Sequence, residues 1–132
     1  MTETTTAPAN TMTALAEQYI AAFNETDPVA RRALSDETFS EDATYVDPLM
    51  TGDGQDGIDA MIGGVQAQFP GFTFRLTGKV DGFADRLRFS WELSPPEADE
   101  PLVAGTDFAT LAADGRLTNV TGFLDLMPSA AE

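Results

Sequence analysis

The first half of the chain places apolar residues with the period of a helix. Between positions 11 and 24 they recur every three or four residues on one broad face: Met12, Leu15, Ala16, Tyr19, Ile20 and Phe23. Asp27 and Pro28 supply an N-cap and a proline at the first helical position, which predicts a second helix to about residue 36. A third helical stripe covers residues 58–69 and ends at the pair Pro70 and Gly71.

From residue 72 onward the period changes to two, which is the spacing of half-buried strands. Four strands are predicted, at 72–77, 86–93, 102–112 and 116–126. A shorter strand at 43–47 precedes the third helix, and residues 48–57 are predicted to form a loop. This order predicts an α+β fold in which three helices cover one face of a curved antiparallel sheet. Such a sheet makes a cone that encloses a pocket.

The length of 132 residues suits one domain with a real core. Residues 1–10 are rich in Thr, Ala and Pro and are predicted to be a flexible tail, so the domain covers 11–132. No apolar run approaches the ~20 residues of a membrane helix, and the N-terminus lacks the features of a signal peptide. We therefore expect a cytoplasmic protein.

The net charge and the absence of two residue types limit the binding partners and the catalytic groups that can be expected. The net charge of −15 disfavours binding to nucleic acids or anionic membranes, although it also serves solubility alone. The chain contains no cysteine and no histidine, which removes disulfides, thiolate sites and the commonest metal ligand. Any acid–base chemistry must use Asp, Glu, Tyr or Lys, and no metal or cofactor is expected.

Gly52, Gly54 and Gly57 match the spacing GxGxxG of a dinucleotide-binding turn. Four residues separate them from the preceding strand, and the following strands form an antiparallel meander instead of a parallel pair. Asp53, Asp56 and Asp59 surround the helix start and would repel a pyrophosphate. The same acids lack the alternation of a calcium loop. We interpret the glycines as turn residues.

Three residues are candidates for chemistry. Asp107 shares a strand face with small and apolar residues; if that face is buried, its pKa is raised and the neutral acid can donate a hydrogen bond. The alternative is that Asp107 points outward. Asp47 precedes Pro48, so it is either a turn-initiating residue or a base at the pocket mouth. Tyr19 either reaches the pocket or is a core tyrosine bonded to a backbone carbonyl.

These residues resemble a known family. The segments MTALAEQYIAAFNETD, EDATYVDP and VAGTDFATLAADGRLTNVTGFLD are similar to the NTF2-like superfamily, in its SnoaL-like and ketosteroid-isomerase-like branch, over residues 12–126. The resemblance implies that Tyr19 and a protonated Asp107 form an oxyanion hole and that Asp47 is the general base. The implied reaction is a 1,3-proton shift next to a carbonyl, without a cofactor.

The chain departs from these families at other positions. The isomerases carry a further tyrosine on the third helix, where this chain has apolar residues and glycine at 61–65. The polyketide cyclases carry an acid–base aspartate that corresponds to Asp125, but their assisting histidine is absent here. Asp125 is otherwise a solvated strand end.

We therefore expect an apolar pocket that holds a small apolar molecule. The expected substrate-binding residues are Phe23, Tyr45, Phe74, Phe89, Trp91, Phe123 and Asp125, and Trp91 is expected to be wall or core without a chemical role. The leading function is an isomerase or related acid–base lyase or cyclase. The alternatives are a non-catalytic binding protein for a hydrophobic metabolite and a dimerisation module with a filled cone. The family resemblance also implies a homodimer formed through the open face of the sheet.

Overall fold

The computed structural model describes residues 9–98 and 100–127. These residues form three helices and six strands: α1 (Ala9–Asn24), α2 (Pro28–Thr38), β1 (Phe39–Val46), β2 (Thr51–Asp53), α3 (Gly54–Gln68), β3 (Thr73–Phe83), β4 (Arg86–Ser94), β5 (Val103–Leu111) and β6 (Leu117–Leu126). The α+β fold with helices on one side of a curved, open sheet is confirmed. None of the described helices is long and apolar enough to cross a membrane.

The sheet has the order β2-β1-β6-β5-β4-β3. Strands β3 to β6 form the predicted antiparallel meander. The sheet is nevertheless mixed, because β1 pairs with β6 in parallel. After β1 the chain forms β2 and α3, continues through the meander from the far edge of the sheet and returns beside β1 in the same direction. Local alternation of apolar residues carries no information on this long-range pairing.

Three elements differ in length or existence from the prediction. The strand β3 continues to Phe83, six residues beyond its predicted end, because a register shift between Thr77 and Asp81 interrupts its alternation. The strand β1 begins at Phe39, four residues early, because a register shift between Phe39 and Thr44 interrupts its alternation of buried and exposed residues. The three-residue strand β2 lies in the segment predicted to be a loop, and it is too short to show a period. A register shift hides part of a strand from a pattern-based prediction, and a strand of three residues shows no pattern at all.

The helices lie close to where the pattern predicts them. Asp27 caps α2 by accepting a hydrogen bond from the Ala30 N–H at 2.9 Å, with Pro28 at the first helical position. The helix α1 begins at Ala9, so residues 9 and 10 do not belong to the predicted tail. The remainder of that tail, residues 1–8, lies outside the described residues.

The core lies between the helices and the concave face of the sheet. Its largest fully buried apolar and aromatic side chains come from all layers: Met12, Tyr19, Phe39, Ile58, Ile62, Leu87, Phe89, Leu117 and Val120. On one side of this core the aromatic rings stop filling the cone, and a cavity remains.

Candidate functional site

The cavity has a volume of about 340 Å³. Its wall is predominantly apolar: Ile20, Phe23, Leu49, Met50, Val65, Phe69, Phe74, Trp91, Leu93, Val103, Leu124 and Met127. Four of its polar residues carry hydroxyl or carboxyl groups: Tyr19, Tyr45, Asp47 and Asp107. An apolar cavity of this size with a few convergent polar groups is typical of a small-molecule site.

Tyr19 and Asp107 form a buried pair in this cavity. The Tyr19 hydroxyl donates to Asp107 Oδ2 over 2.5 Å, and the two residues are only 2% and 1% exposed. Burial raises the pKa of Asp107 to about 6, although the hydrogen bond from Tyr19 opposes that rise. Burial, together with the nearby Asp107 carboxyl, raises the pKa of the Tyr19 hydroxyl well above its ordinary value. Tyr19 therefore stays protonated, and Asp107 changes its charge within the physiological range.

Glycine makes room for the Asp107 carboxyl. Gly122 lies opposite Asp107 on the neighbouring strand β6. A Cβ atom at Gly122 would lie 2.9 Å from Asp107 Oδ1, 3.1 Å from Asp47 Cβ and 3.2 Å from the Tyr45 hydroxyl. Any larger residue at this position would displace the polar groups of the site.

Asp47 and Tyr45 form a second pair at the cavity. The Tyr45 hydroxyl donates to Asp47 Oδ2 at 2.6 Å, while Oδ1 accepts from the backbone N–H groups of Leu49 and Met50 at 2.7 and 3.0 Å. Asp47 is thus a turn residue, as one of the two alternatives predicts, and it also lines the cavity. Burial is the main cause that raises the pKa of Tyr45, and the nearby Asp107 and Asp47 add to it. The pairing of Tyr45 with Asp47 follows from their spacing, because residues two apart in a strand share a face.

Most of the predicted site residues meet in this cavity. The predicted residues that line it are Tyr19, Phe23, Tyr45, Asp47, Phe74, Trp91 and Asp107. Phe89 does not line the cavity: it is 1% exposed and packs edge-to-face against the Tyr19 ring, with the ring centroids 4.9 Å apart.

Phe123 and Asp125 lie on the outer face of the sheet, away from the predicted position. Phe123 is 59% exposed, and Asp125 accepts a hydrogen bond from the Thr106 hydroxyl at 2.8 Å. The alternation along β6 turns Gly122 and Leu124 inward instead. The structure therefore places Phe123 and Asp125 outside the predicted pocket wall, because Gly122 takes the inward position opposite Asp107.

Two buried polar atoms at the cavity have no hydrogen-bond partner among the described residues, namely Asp107 Oδ1 and Trp91 Nε1. The Trp91 N–H is close enough to Asp107 to oppose the rise in its pKa, but the two groups do not form a hydrogen bond. Within the described part of the chain, no group of three or more acidic side chains is placed to hold a metal ion.

Known proteins with this fold are numerous. The model of the SnoaL-like domain matches residues 16–120. A SnoaL-like family protein from Agrobacterium tumefaciens strain C58, for which an isomerase function has been suggested, is 44% identical with a TM-score of 0.84, and the match covers 88% of this chain and 98% of that one. No curated protein matches the chain.

More distant structures share the fold. A suggested SnoaL-like polyketide cyclase from Jannaschia sp. CCS1 is 15% identical with a TM-score of 0.68, covering 95% of this chain and 92% of that one. A protein of ketosteroid-isomerase-like fold from Catenulispora acidiphila DSM 44928, solved with trimethylamine, is 20% identical with a TM-score of 0.65, and 82% of each chain is covered. The family model covers most of the sequence, and the 44% identity extends over nearly the whole domain, so this chain belongs to the SnoaL-like domain family.

Proposed function

We propose that this protein is a cofactor-independent isomerase that moves a proton between two carbon atoms of an apolar carbonyl compound. One observation carries the proposal: two carboxyl groups in contrasting environments line the same cavity. Asp107 is 1% exposed among apolar residues, whereas Asp47 is half-buried and accepts three hydrogen bonds. Carboxyl groups with contrasting environments can divide the roles of acid and base.

Asp47 is the proton carrier. It removes a proton from the carbon next to the carbonyl group, and the electron pair of that C–H bond moves into a dienolate whose charge lies on oxygen. Asp47 then returns the proton to the carbon two positions away, and the enone forms. No atom is gained or lost, so the reaction needs no second reactant.

The buried pair stabilises the dienolate oxygen. When Asp107 is neutral, its hydroxyl donates to the developing negative charge, while Tyr19 donates to the other carboxyl oxygen and holds the group in place. A donor in an apolar cavity interacts more strongly with this charge than a donor in water does. The wall around it binds the hydrocarbon body of the substrate.

A turnover assay tests this function. We expect saturable conversion of a β,γ-unsaturated ketone to its conjugated isomer, followed by ultraviolet absorbance, with substrates from 3-cyclohexenone to a β,γ-unsaturated ketosteroid. A rate that never saturates and equals that of the same concentration of acetate would contradict the proposal.

The second candidate is a non-catalytic binding protein for a hydrophobic metabolite. It is favoured by one observation: both oxygens of Asp47 already accept hydrogen bonds from the protein. Saturable binding of ketones without any turnover would favour this candidate. Cyclase or lyase chemistry in the same cavity would appear as turnover of other substrates, and a cytoplasmic location remains a prediction.

The activity should depend on the protonation of Asp107. Since the neutral acid is the donor and its pKa is about 6, kcat/KM should fall as the pH rises through 6, by about tenfold per pH unit above 7. Tyr19→Phe removes a hydrogen bond that lowers this pKa, so the fall should move to higher pH. The pH profiles of both proteins, measured where circular dichroism shows them folded, check this. A profile that is flat between pH 5 and 8 would contradict the role of Asp107.

We further propose that the outer face of the sheet forms a homodimer. This face exposes Phe108 and Phe123, at 39% and 59%, from neighbouring strands. Light scattering should give twice the monomer mass for the wild type and the monomer mass for Phe123→Ser. Val29→Ser is the control, because Val29 is 79% exposed on α2, on the side of the sheet that the helices cover. A monomeric wild type at micromolar concentration would contradict the dimer.

A further inference from the structure

Trp91 Nε1 and Asp107 Oδ1 are buried at the cavity without partners among the described residues. A buried polar group without a partner normally costs stability, and most such groups in folded proteins are paired. Both residues line the same cavity. The two atoms therefore indicate where a polar atom of a ligand belongs.

The backbone fixes the position of the indole. Trp91 on β4 lies opposite Gly105 on β5, and Asp107 follows two residues later on the same face. A Cβ atom at Gly105 would lie 2.5 Å from Cζ2 and 2.9 Å from Cε2 of Trp91. The indole thus lies against the β5 backbone in space that only glycine leaves open. Its N–H lies near enough to the Asp107 carboxyl to oppose the rise in the pKa of that group.

The Tyr19 hydroxyl already has a hydrogen-bond acceptor within the protein. It donates to Asp107 Oδ2 at 2.5 Å and is fully buried by its surroundings. In the neutral acid Oδ2 is then the carbonyl oxygen and Oδ1 carries the hydrogen. The donors without partners are therefore the Oδ1 hydroxyl of Asp107 and the indole N–H of Trp91.

We propose that Trp91 N–H and the Asp107 Oδ1 hydroxyl together bind one carbonyl oxygen of the substrate, with Tyr19 as a positioning residue behind Asp107. The proposal rests on the proposed function for the neutral state of Asp107. Two donors facing one atom require an acceptor with two free lone pairs. A carbonyl oxygen offers both lone pairs, whereas a carboxylate would bring a negative charge into a cavity that two acidic side chains already line. The substrate class is therefore an uncharged ketone or aldehyde.

This assignment gives Trp91 a role in specificity that its position in an apolar strand pattern does not predict. The indole N–H does not titrate, so it remains a donor when Asp107 ionises. Because the same N–H favours the ionised Asp107 carboxyl, Trp91 should contribute most to ketone binding at pH values at which Asp107 is neutral.

The single tryptophan of the chain makes a direct test possible. In ¹⁵N-labelled protein at pH 5 its indole gives one N–H signal. Cyclohexanone should move the proton of this signal downfield in a saturable manner. Methylenecyclohexane, which replaces the oxygen by CH₂, should enter the cavity without this shift. Neither ligand is a substrate of the proton shift, so the test reports binding alone.

Trp91→Phe provides the matched variant. It keeps an aromatic wall and should weaken cyclohexanone binding by about 3- to 10-fold, the effect of one hydrogen bond, while methylenecyclohexane binding stays the same. The affinities of this variant can be followed on the backbone amide signals of Gly105 and Asp107.

The outcomes separate this inference from the proposed function. An equal indole shift with both ligands, or no saturable shift with cyclohexanone, would overturn the carbonyl site even if the enzyme turns over. A ketone-specific shift without any turnover of unsaturated ketones would support the carbonyl site and remove the isomerase function.

Discussion

Asp47→Asn is expected to lower kcat for a β,γ-unsaturated ketone by about 100- to 10,000-fold, the usual contribution of a positioned general base. The amide has nearly the shape of the carboxylate but cannot accept a proton from carbon. Its oxygen can still accept from the Leu49 and Met50 N–H groups, which hold the turn. The substitution therefore removes the base and retains the local backbone.

The contact with Tyr45 changes in a defined way. The Tyr45 hydroxyl now donates to Oδ2, and in the variant it would instead accept from the amide nitrogen. The site keeps one hydrogen bond there, so substrate binding should change little and the loss should appear in kcat.

Asp53→Asn is the matched control. Asp53 is an exposed carboxyl on β2 that makes no side-chain capping bond to α3, and it lies outside the cavity. Its variant should keep the wild-type kcat. An Asp47→Asn enzyme that retains more than about a tenth of kcat would exclude Asp47 as the base.

The sequence predicts this part of the site because the relevant signals are local. Asp47 follows a strand, precedes a proline and shares a strand face with Tyr45, and the structure places both at the cavity. Tyr19 lies on the apolar stripe of α1, and a buried hydroxyl needs a partner; the structure supplies Asp107. The small neighbours on β5 leave an inward and an outward Asp107 as alternatives, and the family resemblance favours the inward one; Asp107 is 1% exposed.

Other features depend on contacts between distant segments. The inward residue of β6 is Gly122 and not Phe123, because it faces Asp107 across the sheet. Likewise, the parallel pairing of β1 with β6 is determined by the path of the whole chain. The unpartnered Trp91 N–H depends on how the indole packs against Gly105. A period along one strand contains none of this information.

The burial of Asp107 also implies a cost in stability. The pKa of Asp107 is raised from 3.8 to about 6 in the folded protein, so the folded state binds the proton more tightly than the unfolded state. The corresponding stabilisation is fully present below pH 3.8 and is lost as the pH rises through 6. The difference between these pKa values corresponds to about 3 kcal/mol. At pH 8 the wild type therefore carries the cost of a buried charge.

Asp107→Asn should remove that cost. The amide oxygen can still accept from Tyr19, and no charge forms in the cavity at high pH. Relative to the wild type, the free energy of unfolding of the variant should be higher at pH 8 than at pH 4 by up to about 3 kcal/mol. Urea unfolding at the two pH values measures this difference. Because the two proteins share every other titrating group, the comparison isolates Asp107.

The same variant should separate stability from catalysis. Its amide N–H is a weaker donor than a neutral carboxylic acid but does not titrate, so kcat/KM should be lower than that of the wild type at pH 5 and should no longer fall as the pH rises through 6. Asp53→Asn again serves as the control, with no change in either measurement. If the free energy of unfolding of the two proteins changed equally with pH, Asp107 would not titrate near pH 6. The mechanism would then have no neutral acid, and the predicted pH dependence of kcat/KM would also be wrong.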